Sequence, residues 1–432
     1  MRISSFRIRN FRGLRLAEID GLAEAPLITV SGPNGSGKSL LFEAIALVGR
    51  LGHPPYLQRY GHLVGPWGEE AELQVGIKLR PSERDALKEY MRDRIEGDPP
   101  EEIVRRAVIR KEGEVELQED AWANQLRSLE AIRELPFLQL DFLPADRTIP
   151  RGEQPNVNPA LLGEEQRESF RQQIVSSYIQ TRGVVSLSGI APVLASLDYT
   201  DLLAERQKVE STGDFDAITE SFYRSTSKGI QRPSLDPRSD YGATLKVRTA
   251  EGLEHTLDQL SSGEQEALGL MFFVRRLSSR GGVLLIDEPE LHLHPALQRS
   301  LFAILEGIAD RAQVLISTHS PRLVVATSLD AVLHMSPPTA EDVNQLKRAH
   351  DEEARLQLLD ELGVHPIEVL QSDLLVIVEG TTDIAVLEAL LPVELGRATI
   401  RAAGSAHQVE EACKALGAHD GFPFIGIATA TF

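Results

Sequence analysis

The chain has 432 residues, 42% of them hydrophobic and 25% charged, which suffices for roughly two or three globular domains, each with its own buried core. A formal net charge of −19 excludes a broadly basic nucleic-acid surface, so any DNA contact must use a local patch. The single cysteine, Cys413, excludes an internal disulfide. Neither a run of about 18 apolar residues nor an apolar core of signal-peptide length is present, which points to a cytoplasmic setting.

In chain order, Arg2 to Leu14 alternates apolar and polar residues and predicts an edge strand. Arg7, Arg9 and Arg12 lie in it without neighbouring acids, either to touch DNA or nucleotide phosphate or simply as solvated strand residues. An apolar run then ends at Ser31, the segment Gly32-Pro33-Asn34-Gly35-Ser36-Gly37-Lys38-Ser39 follows, and a helical pattern begins at Leu40. This is the phosphate-binding loop G-x-x-x-x-G-K-[ST] in its required setting. Its glycines let the backbone N–H groups around Asn34, Gly35, Ser36 and Gly37 turn inward to phosphate oxygens. Lys38 can reach the β- and γ-phosphates and Ser39 can hold Mg²⁺, so a nucleoside triphosphate with Mg²⁺ is the expected ligand.

Ala71 to Leu79 alternates again, and short apolar runs at Ala107 to Ile109 and Val115 to Leu117 flank a turn at Glu112-Gly113. Together they predict a small antiparallel sheet interrupted by a polar helix from Ser82 to Ile95. Phe137 to Phe142 predicts a further strand, ending in LPADRTIPRGE. There Arg147 and Arg151 either reach a phosphate or belong to a proline-rich surface loop, and Gln139 is a candidate to order Mg²⁺ or water. From Gly163 to about Gly229 the periodicity turns helical, predicting an inserted subdomain or arm whose amphipathic faces meet a partner, a second copy or one another. Pro233 to Tyr241 reads as the linker back.

Ala243 to Arg248 and Leu253 to Leu257 are strand-like, and Gln259-Leu260-Ser261-Ser262-Gly263-Glu264-Gln265 opens an apolar helix with free N–H groups at its start. Val283 to Ile286 is a buried strand that runs into Asp287 and Glu288. A strand-end aspartate can hold Mg²⁺, and the glutamate beside it can orient or deprotonate an attacking water. His292 and His294 follow at a spacing that favours a structural role. Val314 to Ile316 ends at Ser317-Thr318-His319, where a histidine can sense a γ-phosphate by donating a hydrogen bond.

GPNGSGKS, LSSGEQ, LLIDEP and STHS, in this order, resemble the ATP-binding-cassette (ABC) ATPases of the RecF, SMC and OLD (overcoming lysogenization defect) type. DEPELHLHP is similar to the OLD branch rather than to transporter subunits. The resemblance covers about Met1 to Met335 and implies an α/β fold, an ABC-type P-loop ATPase head with a helical insert. It further implies a homodimer closed around ATP, the P-loop of one copy facing the signature Ser262, Gly263, Glu264 and Gln265 of the other. Carried over by position, Lys38 and Ser39 contact phosphate and Mg²⁺, Asp287 is the second Mg²⁺ contact, Glu288 the catalytic base and His319 the switch.

Beyond a polar stretch from Ala340 to Leu362, expected to be helical, Asp373 to Val378 predicts a strand followed by Glu379-Gly380-Thr381-Thr382-Asp383 and a helix to Leu391. A strand at Ala398 to Arg401, a helix from Gln408 to Leu416 and a strand at Phe422 to Ile427 complete a parallel α/β pattern. This resembles the start of a TOPRIM domain, which implies Glu379 as metal ligand or general base with Asp383 in support. The place of the domain's D-x-D pair reads Thr429-Ala430-Thr431, and neutral hydroxyls cannot offset the dehydration of Mg²⁺. The expected organisation is an N-terminal ATPase half (1–160), a helical insert (161–235), a C-terminal ATPase half (236–338), a connector (339–370) and a partial TOPRIM-like domain (371–432). The expected function is an ATPase that dimerises on ATP and acts with DNA in a nuclease or phage-defence type system, its nuclease site incomplete. The alternative is a sensor or scaffold that binds a separate effector protein.

Overall fold

The structure, a computed structural model, describes residues 1–51, 60–126, 129–150, 155–211, 213–235, 243–278, 281–339, 343–349, 358, 374–391, 398–417 and 424–427. Arg151, most of the linker, most of the connector and Thr429 to Thr431 lie outside them. The chain divides into two compact units, Met1–Arg355 and Leu356–Phe432.

The first unit is organised on a six-stranded sheet in the spatial order Leu346–Arg348, Val332–Met335, Leu27–Ser31, Gln313–Thr318, Val283–Asp287 and Leu140–Leu143. All neighbours are parallel except the outer pair Val332–Met335 and Leu346–Arg348. Strands covered on both faces need continuous rather than alternating apolar sequence, and every residue of Leu27–Ser31, Val283–Asp287 and Gln313–Thr318 is buried. The hydroxyls among them are satisfied locally: Thr29 and Thr327 share a 2.6 Å hydrogen bond, and Ser31 Oγ donates to Thr318 O at 3.0 Å. Parallel register brings the carboxyl ends of these strands to one edge of the sheet.

A five-stranded antiparallel sheet has the order Leu14–Ile19, Arg2–Phe11, Glu70–Lys78, Glu102–Arg110 and Val115–Leu117. Arg2–Phe11 is therefore an inner strand, not an edge. The hairpin at Arg12-Gly13 returns Leu14–Ile19 beside it, and the acids absent from its own sequence come from its neighbours. Arg7 pairs with Glu18 at 3.7 Å and Arg9 with Glu72 at 3.2 Å, each directly across the ladder. These arginines are occupied by carboxylates and do not form a free basic patch. Leu346–Arg348, in the stretch expected to be helical, is a strand, because Val332–Met335 offers it a hydrogen-bonding edge.

In the insert, Glu164–Gln173 leads into a π-helical segment Ile174–Ile179, followed by helices Ile190–Gln207 and Asp214–Thr226. Its first helix is fastened to the nucleotide half by buried ion pairs, Arg171 with Asp141 at 2.5 Å and Glu168 with Arg50 at 2.9 Å. Arg12 and Arg182 both grip Glu43 of the helix Lys38–Val48, whose carboxylate is wholly buried.

The second unit carries a three-stranded parallel sheet in the order Ala398–Ala402, Leu374–Val378, Phe424–Ile427, with helices Thr381–Leu390 and Ala406–Gly417 between strands. Among the described residues, no helix is long and apolar enough to cross a membrane.

Candidate nucleotide site

The P-loop connects Leu27–Ser31 to the helix Lys38–Val48. Its first glycine is required by contact: a Cβ on Gly32 would lie 2.0 Å from Met335 O. Gly37, the residue before the helix, has φ +105°, a conformation that L side chains avoid. Lys38 Nζ donates to the carbonyls of Gly32 at 2.9 Å and Pro33 at 3.0 Å, so the ammonium is held within the loop. Burial pushes its pKa down to about 8, against the pull of Glu288, Asp287 and Glu290. Asn34 and Gly35 are exposed, and Ser36 Oγ is buried without a hydrogen-bond partner. Gln345, which sequence reasoning passed over, braces the loop by donating from Nε2 to Ser36 O at 3.0 Å.

Asp287 is fully buried at the carboxyl end of its strand. Its Oδ1 accepts from Ser317 Oγ, its Oδ2 is buried without a hydrogen-bond partner, and the Ser39 hydroxyl is near enough to act on its pKa, in the lowering direction. Burial still pushes that pKa up overall, the mark of a carboxylate short of positive charge. An orphaned oxygen beside a hydroxyl from the P-loop helix is a donor set that fits Mg²⁺. Ser39 and Asp287 would hold the ion there.

Glu288 has φ +45°, the left-handed region that a side chain adopts only at a cost. Its Oε1 lies 3.4 Å from His319 Nε2, and that hydrogen bond holds its pKa below the usual carboxylate range. Both side chains are only partly exposed. Sequence reasoning also missed Glu290. Its Oε1 accepts from Thr318 Oγ1 at 2.5 Å, His319 N at 2.8 Å and Ser320 N at 3.1 Å, clamping the loop that carries His319. Burial raises the Glu290 pKa.

Two expectations fail for reasons of register and burial. Gln139 precedes its strand and its carbonyl accepts from Val283 N, at the amino end of the sheet and away from Asp287. Arg147 is no phosphate ligand in a surface loop. Its side chain is 1% exposed and bonded to Glu266 and to the carbonyls of Asp287 and Glu288.

In the signature, Ser262 begins the helix Ser262–Ser278 and is exposed. The Glu264 carboxylate accepts from Ser261 N and Oγ, both at 2.9 Å, and pairs with Lys228 at 2.8 Å. Burial alone would raise its pKa, but these donors outweigh it and the pKa is lowered. Gln265 donates to Asp258 O at 3.2 Å. Glu264 and Gln265 are thus held within their own chain.

In the second unit, Glu379 follows the central strand and Asp383 Oδ2 accepts from Gly380 N at 2.9 Å. No group of three or more metal-ligating His, Cys, Asp or Glu side chains occurs among the described residues.

A P-loop lysine, two acids at a strand end and a histidine just past the adjoining strand are the parts of an ABC-type P-loop ATPase head. The chain belongs to the family described as AAA domain, putative AbiEii toxin, Type IV TA system, which matches residues 27–326. Among curated proteins it is similar to an OLD nuclease of Thermus scotoductus (strain ATCC 700910 / SA-01), 33% identical over 90 residues, or 20% of this chain and 17% of that protein. A Septu protein PtuA of Bacillus thuringiensis is 36% identical over 62 residues, 14% of this chain and 16% of that one. A retron Vc95 probable ATPase of Vibrio cholerae serotype O1 biovar El Tor is 30% identical over 139 residues, covering 28% of this chain and 27% of that one. The matches thus span between about a sixth and about a quarter of these relatives. Of solved structures, an SMC head bound to the C-winged helix domain of ScpA has a TM-score of 0.51 at 15% identity, covering 82% of this chain and all of that one. That likeness is one of fold. The likeness to the OLD and retron proteins lies within those matched segments.

Proposed function

We propose that this chain binds and hydrolyses ATP with Mg²⁺, and that two copies close around the nucleotide. The observation that carries the reading is the convergence at one sheet edge of Lys38, Ser39, the unpartnered Asp287 Oδ2 and the Glu288–His319 pair. Mg²⁺ bound between Ser39 and Asp287 would supply charge neutralisation for the phosphates. Lys38 leaves its two carbonyl partners for phosphate oxygens, and P-loop N–H groups take up the rest of the charge. Glu288, its carboxylate kept ionised by His319, accepts the proton of the attacking water. His319 then faces the γ-phosphate as donor. Because Glu264 and Gln265 are bound within their own chain, Ser262 and the backbone at Gly263 are what the signature offers to a nucleotide on a second copy.

Glu288→Gln should keep ATP binding, abolish turnover and trap a dimer by light scattering with ATP and Mg²⁺. A monomer at micromolar concentration under those conditions overturns the dimer. Action with DNA in a nuclease or defence-type system is proposed from the likeness to an OLD nuclease. Mobility-shift of a duplex by the trapped form tests it, and absence of any shift with or without ATP favours the scaffold reading.

A further inference from the structure

Arg147 links the signature helix to the acid strand through a single guanidinium. Nε donates to Glu266 Oε1 at 2.5 Å, one turn into the helix that Ser262 begins. Nη1 donates to Pro144 O at 2.8 Å and Asp287 O at 3.0 Å, and Nη2 donates to Glu288 O at 3.1 Å. The Arg147 and Glu266 side chains are 1% and 9% exposed, so solvent screens neither. The peptide units held by this fork flank Glu288, which stands at φ +45° while its carboxylate reaches His319. A side chain stays in that region only when its surroundings over-determine it. Relaxation to negative φ would swing the carboxylate away from His319.

We propose that Arg147 is a positioning residue that makes Glu288 responsive to the signature helix, so that engagement of Ser262 and Gly263 by nucleotide on a second copy sets the geometry of this copy's base. The inference rests on the assignment of Glu288 as base and on the dimer. A planar fork with donors in three directions is needed, since one ammonium cannot bond Glu266 and two separated carbonyls in fixed geometry. Shift of the signature helix moves Glu266, Glu266 moves the fork, and the fork moves the peptide planes on either side of Glu288.

The test uses the full chain, with ATP hydrolysis, ATP affinity and melting temperature measured together. If the unaltered chain hydrolyses no ATP, the functional reading fails before the inference is reached. Given hydrolysis, Arg147→Met should lower kcat at least tenfold while ATP affinity stays within about threefold. That variant strands a buried carboxylate and will melt earlier, so Arg147→Met/Glu266→Met, which removes both charges, is the deciding variant. It should recover melting temperature without recovering kcat; joint recovery would show a merely structural ion pair and overturn the proposal. Glu266→Gln keeps an acceptor in place and removes only the charge, which makes it the variant that folds in any case. It should lower kcat several-fold and flatten the dependence of specific activity on protein concentration. Unchanged kcat and concentration dependence in it would equally overturn the inference.

Discussion

Both units set an acid at or just beyond the carboxyl end of a parallel strand, Asp287 and Glu288 in one and Glu379 in the other, the position where open α/β sheets place their sites. The difference lies in what meets the acid there. Around Asp287, Ser39, Ser317, Lys38 and the His319 loop converge from separate elements, and one carboxylate oxygen is left unsatisfied in a buried space. Around Glu379, the nearest acid in sequence, Asp383, has its carboxylate on the N–H of Gly380 as a helix cap. Placement at the sheet edge supplies a location, and catalysis needs partners from other strands as well.

The comparison is tested most strongly at Glu288. Glu288→Gln should lower ATP hydrolysis by about 10²–10⁴-fold, the usual contribution of a general base, with nucleotide affinity within about threefold. Turnover at the original rate in a coupled assay would return the acid edge of the first unit to the same standing as that of the second.

Next is the buried cluster behind the P-loop. Glu43 is wholly buried, and burial, only partly offset by Arg12 and Arg182, raises its pKa from 4.5 to about 7. A carboxyl whose folded pKa is raised contributes stability that is present below about 4.5 and lost as pH rises through about 7. Its upper bound is on the order of 3 kcal/mol. Melting curves from pH 5 to 8 should therefore show Glu43→Gln gaining on the unaltered chain as pH rises. A constant offset would mean that the arginines keep Glu43 ionised throughout.

Glu290 comes next, because its carboxylate clamps the loop that carries His319. Glu290→Ala removes three hydrogen bonds from the His319 loop, and bonds to a charged acceptor are each worth about 1.5–3 kcal/mol. Part of that loss should appear as an approximately tenfold fall in kcat, with ATP affinity little changed. Equal loss of affinity would place the loop in binding rather than in chemistry.

What the sequence made legible follows from this contrast. The P-loop, Asp287, Glu288 and His319 are each dictated by a strand running into a turn, so contiguous residues carry the signal and local pattern suffices. Glu290, Gln345 and Arg147 act on partners 28 to 309 residues away, and no local period reports such a pairing. The same limit misjudged Arg2–Phe11. Alternation shows that one face is buried, but only the partners of its two edges, found at Leu14–Ile19 and Glu70–Lys78, show that the strand is interior. Gln139 failed by position, since the strand starts after it and the catalytic edge lies at the far end.

The smallest expected effect lies in the second unit. If Asp383 serves its helix and not a metal, Asp383→Ala should cost about 0.5–2 kcal/mol of local stability, the range for loss of a capping interaction. Hydrogen exchange in Thr381–Leu390 should quicken at its first turn, and Mg²⁺ should not protect that turn in the unaltered chain. ATP hydrolysis should stay within about twofold in both Asp383→Ala and Glu379→Ala, and supercoiled plasmid should survive incubation of the unaltered chain with Mg²⁺ or Mn²⁺. That last expectation rests on the resemblance to a TOPRIM domain, in whose pattern threonines 429 and 431 stand at the places of two aspartates, because neutral hydroxyls cannot offset the dehydration of a divalent ion. Nicking that vanishes in Glu379→Ala, or exchange protection by Mg²⁺ that vanishes in Asp383→Ala, would show that carboxylates from elsewhere complete this edge. The distinction between the two units would then be one of degree.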